Sequence, residues 1–168
     1  MQERVTYELI DGVADVQMVR PDKLNAIDAP MFAQLISVGS ELAERSEVRA
    51  VVLSGQGRAF CAGLDMGSFQ QMAEADSLDE PRTAQLLSRG DGRITTEAQQ
   101  ACWTWAELPV PTIAAITGVA FGGGFQLALA ADIRLASPDT RMSVMEIKWG
   151  LVPDMTGSQL LPELVGRD

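Results

Sequence analysis

The stretch Ala120-Phe121-Gly122-Gly123-Gly124-Phe125-Gln126-Leu127-Ala128-Leu129 sets three glycines between a strand-like run and an apolar helix. Residues without side chains let a ligand approach the backbone, and the first N–H groups of a helix lack intrahelical acceptors. Such a turn suits an anion, including an oxyanion that exists only during reaction. A second glycine-rich turn lies upstream, at Gly55-Gln56-Gly57-Arg58-Ala59-Phe60-Cys61-Ala62-Gly63-Leu64-Asp65. Two strand–glycine–helix junctions in one short chain predict a two-donor oxyanion hole.

Other chemistries are excluded by residue type. The Gly55-x-Gly57 pair lacks the third glycine of a dinucleotide fingerprint, since Phe60 stands in its place, and no P-loop lysine follows. Cys61 lies inside the upstream turn, but the chain has no histidine to activate a cysteine or serine nucleophile. The same absence argues against a Ser–His hydrolase and against zinc or iron sites. Cys61 and Cys102 lack metal spacing and form no disulfide framework, so both read as reduced thiols of a cytoplasmic protein.

The elements that must position these turns follow from pattern. Val5–Ile10 and Val13–Val19 flank Asp11-Gly12, a hairpin signal. Asp28 is placed to cap a helix running to about Arg45, with Pro30 in its first turn and Met31, Leu35, Val38 and Leu42 on one stripe. The runs 49–54, 110–117 and 133–136 read as strands buried on both faces. A helix over 94–108 carries Trp103 and Trp105, read as core or pocket wall. Strands alternating with helices predict an α/β layered fold with parallel pairing, its glycine turns at strand ends where such sheets bind ligands. Residues 66–93 are acidic and turn-rich and read either as a lid or as a solvated connector.

The chain's 168 residues suffice for one domain with a core. A net charge of −10, with Lys23 and Lys148 the only lysines, leaves no basic stripe for nucleic acid. No apolar run reaches the length of a membrane span, and the N-terminus lacks a signal-peptide core.

Arg20-Pro21-Asp22-Lys23-Leu24-Asn25-Ala26, Gly57 to Asp65, and Gly118 to Leu129 followed by Asp132-Ile133-Arg134 resemble, in that order, the motifs of the crotonase family, the enoyl-CoA hydratase/isomerase superfamily. The resemblance covers essentially the whole chain. It implies the ClpP/crotonase α/β fold of repeated ββα units, as one domain over residues 1–168. It also implies a homotrimer or dimer of trimers, built by C-terminal helices that would follow Asp168. The implied substrate is an acyl-CoA thioester, with coenzyme A arriving on the substrate and no separate cofactor or metal. Its enolate would be held by the N–H groups of Leu64 and Gly123. Lys23, Leu24 and Ala26 match the loop at the nucleotide end of coenzyme A, and Ala62 matches the residue beside the adenine. Asp65, Met66 and Gly67 continue the substrate-binding turn.

The acid/base residues depart from the pattern. The family's hydratases hold a water between two glutamates, whose positions here carry Gln126 and Glu146. An amide orients a water or a carbonyl but exchanges no proton near neutral pH. Asp154, eight residues after Glu146, matches an aspartate of the family's dienoyl-CoA isomerases. The resemblance thus implies Glu146 as the main acid/base, Asp154 as its partner and Gln126 as a positioning group. Hydration, double-bond isomerisation and acyl-CoA binding without turnover stay open. So do plainer roles: Glu146 as a surface carboxylate, Asp154 as the N-cap of a helix from Thr156.

Overall fold

Asp11 and Gly12 take positive φ values of 51° and 84°, as a two-residue primed hairpin turn requires. They join β1 (Val5–Ile10) to β2 (Val13–Met18), paired antiparallel from Val5↔Met18 to Ile10↔Val13. The computed structural model describes residues 2–65, 67, 88–90 and 92–166. From β2 onward the named strands of this sheet pair in parallel: β3 (Ala50–Gly55) lies beside β2, β4 (Thr112–Ile116) beside β3, and β6 (Ile133–Ala136) beside β4. The five-stranded sheet runs β1-β2-β3-β4-β6. A separate parallel pair joins β5 (Val119–Phe121) to β7 (Arg141–Ser143).

Among the described residues, α-helices over four stretches pack around these strands. α1 (Ala29–Glu44) starts at Asp28, whose side chain accepts from Met31 N–H at 3.0 Å. It buries Met31, Phe32, Leu35, Ile36, Gly39 and Leu42, while Val38 is only half-buried. α2 (Glu97–Ala106) starts in a reciprocal capping box between Thr96 and Gln99 and buries Cys102 and Trp105. α3 (Gly123–Leu129) follows the triple glycine directly, and α4 (Gly157–Val165) ends the described chain. The core fills the side of the sheet that faces α1 and α2, with Ala14, Val16, Val51, Leu53, Ala114 and Ile116 closed from solvent.

The structure corrects one feature of the expected strands. β3 and β4 alternate between buried and half-exposed residues, and β6 is an edge strand with Ile133, Leu135 and Ala136 exposed. A second layer does not cover the far face of this sheet among the described residues, so runs that read as doubly buried are buried on one side. Most of the acidic segment read as a lid or connector, including Met66, lies outside the described residues. Among the described residues no helix is long and apolar enough to cross a membrane.

Candidate active site

The two glycine turns meet. Cys61 donates its N–H to Val119 O at 3.0 Å and accepts from Phe121 N–H at 3.0 Å, which bridges the upstream turn to β5. Neither turn tolerates a side chain at the junction. A Cβ on Gly63 (φ 92°) would lie 2.6 Å from Phe121 O, and one on Gly124 would lie 2.8 Å from Cys61 Sγ. The close approach therefore depends on glycine at both positions. The same Gly63 Cβ position would stand 3.6 Å from Gly123 N, so the residue preceding Leu64 lies beside the start of α3.

Hydrogen-bond direction leaves two donors idle. Ile27 gives its N–H to Gly63 O at 2.8 Å and accepts from Asp65 N–H at 2.9 Å. In this parallel bridge Leu64 is the residue whose own peptide groups face away from Ile27. Gly123 is the first residue of α3 and has no intrahelical acceptor. Among the described residues, nothing accepts from Leu64 N–H or Gly123 N–H. An oxygen that gains negative charge could take both.

A carboxylate stands against this turn. β7 leads into a 3-10 helix, Met145–Trp149, which brings Glu146 to Gly122, where an added Cβ would lie 3.3 Å from Glu146 Oε1. Gln126, one turn into α3 and fully buried, donates from Nε2 to Glu146 Oε1 at 2.7 Å. Its Oε1 accepts from Gly157 N–H at 2.9 Å. Gly157 N–H can only donate, so the amide oxygen must face it and the NH₂ must face the carboxylate. Gln126 thus ties α3, the 3-10 helix and the start of α4 together. Glu146 Oε2 is buried with no hydrogen-bond partner among the described residues. It is the carboxylate oxygen left over for a ligand.

The other expected residues fall in three places. Lys23 is exposed in a short 3-10 helix, Pro21–Lys23; Leu24 is half-buried and Ala26 buried. Leu24 O accepts from Ala62 N–H at 2.9 Å, which joins the two stretches matched to coenzyme A contacts. Asp65 accepts from Arg20 Nη1 at 2.8 Å, and its Oδ1 accepts from Gly67 N–H at 3.0 Å. Asp154 lies in the turn before α4 with an exposed side chain. The group on Glu146 is Gln126, not Asp154. The N-cap of α4 is Thr156 rather than Asp154, and it makes no side-chain cap bond.

Cys61 is closed from solvent, and burial pushes its thiol up to about 12, partly offset by the Gly63 N–H. Burial also pushes the Cys102 thiol up, with smaller contributions from Cys61 and Glu146. Both are protonated at neutral pH and inert as nucleophiles. Among the described residues no three His, Cys, Asp or Glu side chains gather as a metal site.

Several supporting residues were not identified from sequence. Asn25 is fully buried, donates to Gln56 O and Ala59 O at 3.0 and 2.8 Å, and accepts from Arg20 N–H at 2.9 Å. It holds the upstream turn in shape. Met155 and Ile27 wall Gly123: a Cβ there would meet Met155 Sδ at 3.2 Å and Ile27 Cδ1 at 3.4 Å. The signal for Asn25 was its place in a motif; Met155 and Gly157 carried none, being set by how α4 returns.

The chain is similar to known proteins over most of its length. Residues 8–168 match the family model described as Enoyl-CoA hydratase/isomerase. The Bos taurus mitochondrial enoyl-CoA hydratase domain-containing protein 2 is 36% identical over 92% of this chain and 48% of its own. The 1,2-epoxyphenylacetyl-CoA isomerase of Escherichia coli K12 is 32% identical over 99% of this chain and 60% of its own. The crystal structure of an enoyl-CoA hydratase from Bacillus anthracis superposes with a TM-score of 0.83 at 26% identity, over 98% of this chain and 59% of that one. The chain thus spans roughly half to three-fifths of the length of these relatives.

Proposed function

Because the chain belongs to the enoyl-CoA hydratase/isomerase family, we propose that it acts on an enoyl-CoA thioester through an enolate. The carrying observation is the meeting of three unengaged groups: the N–H groups of Leu64 and Gly123, and Glu146 Oε2. The thioester oxygen takes both N–H groups as its carbonyl becomes an enolate. Loss of one such donor typically costs about 10²–10³ in rate. Glu146 moves the proton at the acyl chain from its free oxygen, while Gln126 fixes the other. Lys23, Leu24, Ala26 and Ala62 receive the coenzyme A portion; Asp65, Met66 and Gly67 continue the substrate-binding turn. The scheme uses no group beyond the substrate's own coenzyme A.

A second reading, double-bond isomerisation, is favoured by the amide at 126. With one carboxylate on the amide-held cluster, a single base can carry a proton between two carbons of an acyl chain. In the dienoyl version Asp154 is the second proton carrier, which requires its exposed side chain to turn inward on binding.

Ultraviolet absorbance with crotonyl-CoA and with a 3,5-dienoyl-CoA separates these readings. Glu146→Gln should lower turnover by at least about 10² with thioester binding retained. Loss of enoyl absorbance that needs Glu146 but survives Asp154→Asn supports hydration. Growth of a 2,4-dienoyl signal that needs both carboxylates supports isomerisation. Tight thioester binding with silence in both assays would reject an enzymatic role and leave a binding protein.

A further inference from the structure

Thr156 combines two unfavourable features. Its backbone lies at φ 88°, ψ −12°, a left-handed region that strains a β-branched residue and that glycine enters freely. The residue is buried, 8% exposed, yet among the described residues Oγ1 has no hydrogen-bond partner. The backbone shape has a local reason, because it belongs to the turn that presents the Thr156–Gly157 peptide N–H to Gln126 Oε1 at 2.9 Å. Glycine would serve that turn without strain. The hydroxyl therefore needs a separate reason, and a buried, unsatisfied polar group at a strained residue points to a function.

Its place in the fold supplies one. The residue before it, Met155, packs on Gly123, and the residue after it, Gly157, bonds to Gln126. Across Gln126 stands Glu146, whose Oε2 is likewise buried and unpartnered. Thr156 adjoins the Gly157 N–H at one end of this amide and Glu146 stands at its other end, and each carries a buried oxygen with unused hydrogen-bonding capacity. A water is the smallest group that satisfies both, since it can donate one O–H to each.

We propose that Thr156 Oγ1 and Glu146 Oε2 together hold the reacting water of an enoyl-CoA hydration; this rests on the acyl-CoA reading above. The water gives one proton to Glu146 Oε2, and its oxygen bonds to the β-carbon. The electron pair of the carbon–carbon double bond moves into the enolate, held by Leu64 and Gly123 N–H. Glu146 returns the proton to the α-carbon, so water adds across the double bond and nothing is oxidised. Thr156 accepts the second O–H of the water and emerges unchanged.

The test uses the full-length protein with Thr156→Val, Thr156→Gly and Thr156→Ser. Two rates are read on each: hydration of crotonyl-CoA, and exchange of the α-protons of butyryl-CoA in deuterium oxide. Exchange needs the enolate and Glu146 but no held water. Val and Gly should lower hydration at least tenfold more than they lower exchange, and Ser should recover most of the hydration. The melting temperature of Thr156→Gly should match or exceed that of the parent, which controls for a folding defect. Hydration at the parent rate in Val or Gly, or equal loss of both rates, overturns the proposal. A parent that exchanges α-protons but hydrates nothing overturns it while leaving enolate chemistry intact. A parent that does neither removes both.

Discussion

Glu146 and Gln126 meet at 2.7 Å as carboxylate and amide, and the amide is what keeps that contact favourable. Gln126→Glu would set a second carboxylate at the same distance, and two such groups cannot both ionise in a buried site. The variant should therefore bind a proton that two separated carboxylates would release, and its pH–rate profile should gain a limb that the parent lacks. An unchanged profile would mean that the introduced carboxylate swings away from Glu146. The positions of both residues were legible in the sequence through motif spacing. Their bond was not, because it depends on the 3-10 helix after β7 folding Glu146 back across 20 residues. The buried thiols carry a second pH effect. Cys61 sits at about 12 in the fold against 9.0 ordinarily, so only the unfolded chain releases its proton between those values. That contribution to stability is complete below pH 9 and is lost as pH rises toward 12. Urea midpoints of the parent and of Cys61→Ala/Cys102→Ala should converge differently on either side of pH 9, with the parent falling more steeply above it.

Among the elements, the upstream turn depends on one side chain. Asn25→Ala would leave Gln56 O, Ala59 O and Arg20 N–H without their partner and keep alanine at φ 55°. Each stranded buried group costs about 1–3 kcal/mol, so a loss of about 3 kcal/mol or more is expected in the unfolding free energy. Thioester affinity should fall with it, because Leu64 follows the turn that Asn25 holds. Gly63→Ala should be similarly damaging, by about 2–3 kcal/mol, from overpacking on Phe121 O at a positive φ. A midpoint within error of the parent for either variant would contradict this packing. The hairpin, the Asp28 cap and the glycine entry to α3 were readable because each is written in neighbouring residues: Asp11-Gly12, Asp28 with Pro30, and Gly122 to Gly124. β6 was misread as buried because Ile133-Arg134-Leu135-Ala136 has the same local pattern at an edge as at a centre. What decides between them is which strand lies alongside, and that is a property of the sheet.

Over the whole molecule, apolar surface is unevenly spread. Ile133 and Leu135 are exposed on β6, and Ile147, Trp149, Leu151 and Val152, which follow Glu146 in the chain, are exposed too, Ile147 by 81%. Patches of this kind promote association. Residues 1–168 produced alone should bind a hydrophobic dye and associate as concentration rises, and Ile133→Lys with Leu135→Lys should weaken both effects. A dye-silent monomer at high concentration would refute this. The meeting of the glycine turns also governs time. The bonds that brace it join residues far apart in the chain: 31 positions for Gln126 and Gly157, 34 for Asn25 and Ala59, 45 for Arg20 and Asp65. Closing such loops loses chain entropy before any contact compensates, so pairings of this range form slowly. On refolding, α1 and the β1–β2 hairpin, held by neighbours in sequence, can form early. The capacity to bind a thioester should emerge only in the slowest phase, well after the helical signal has returned.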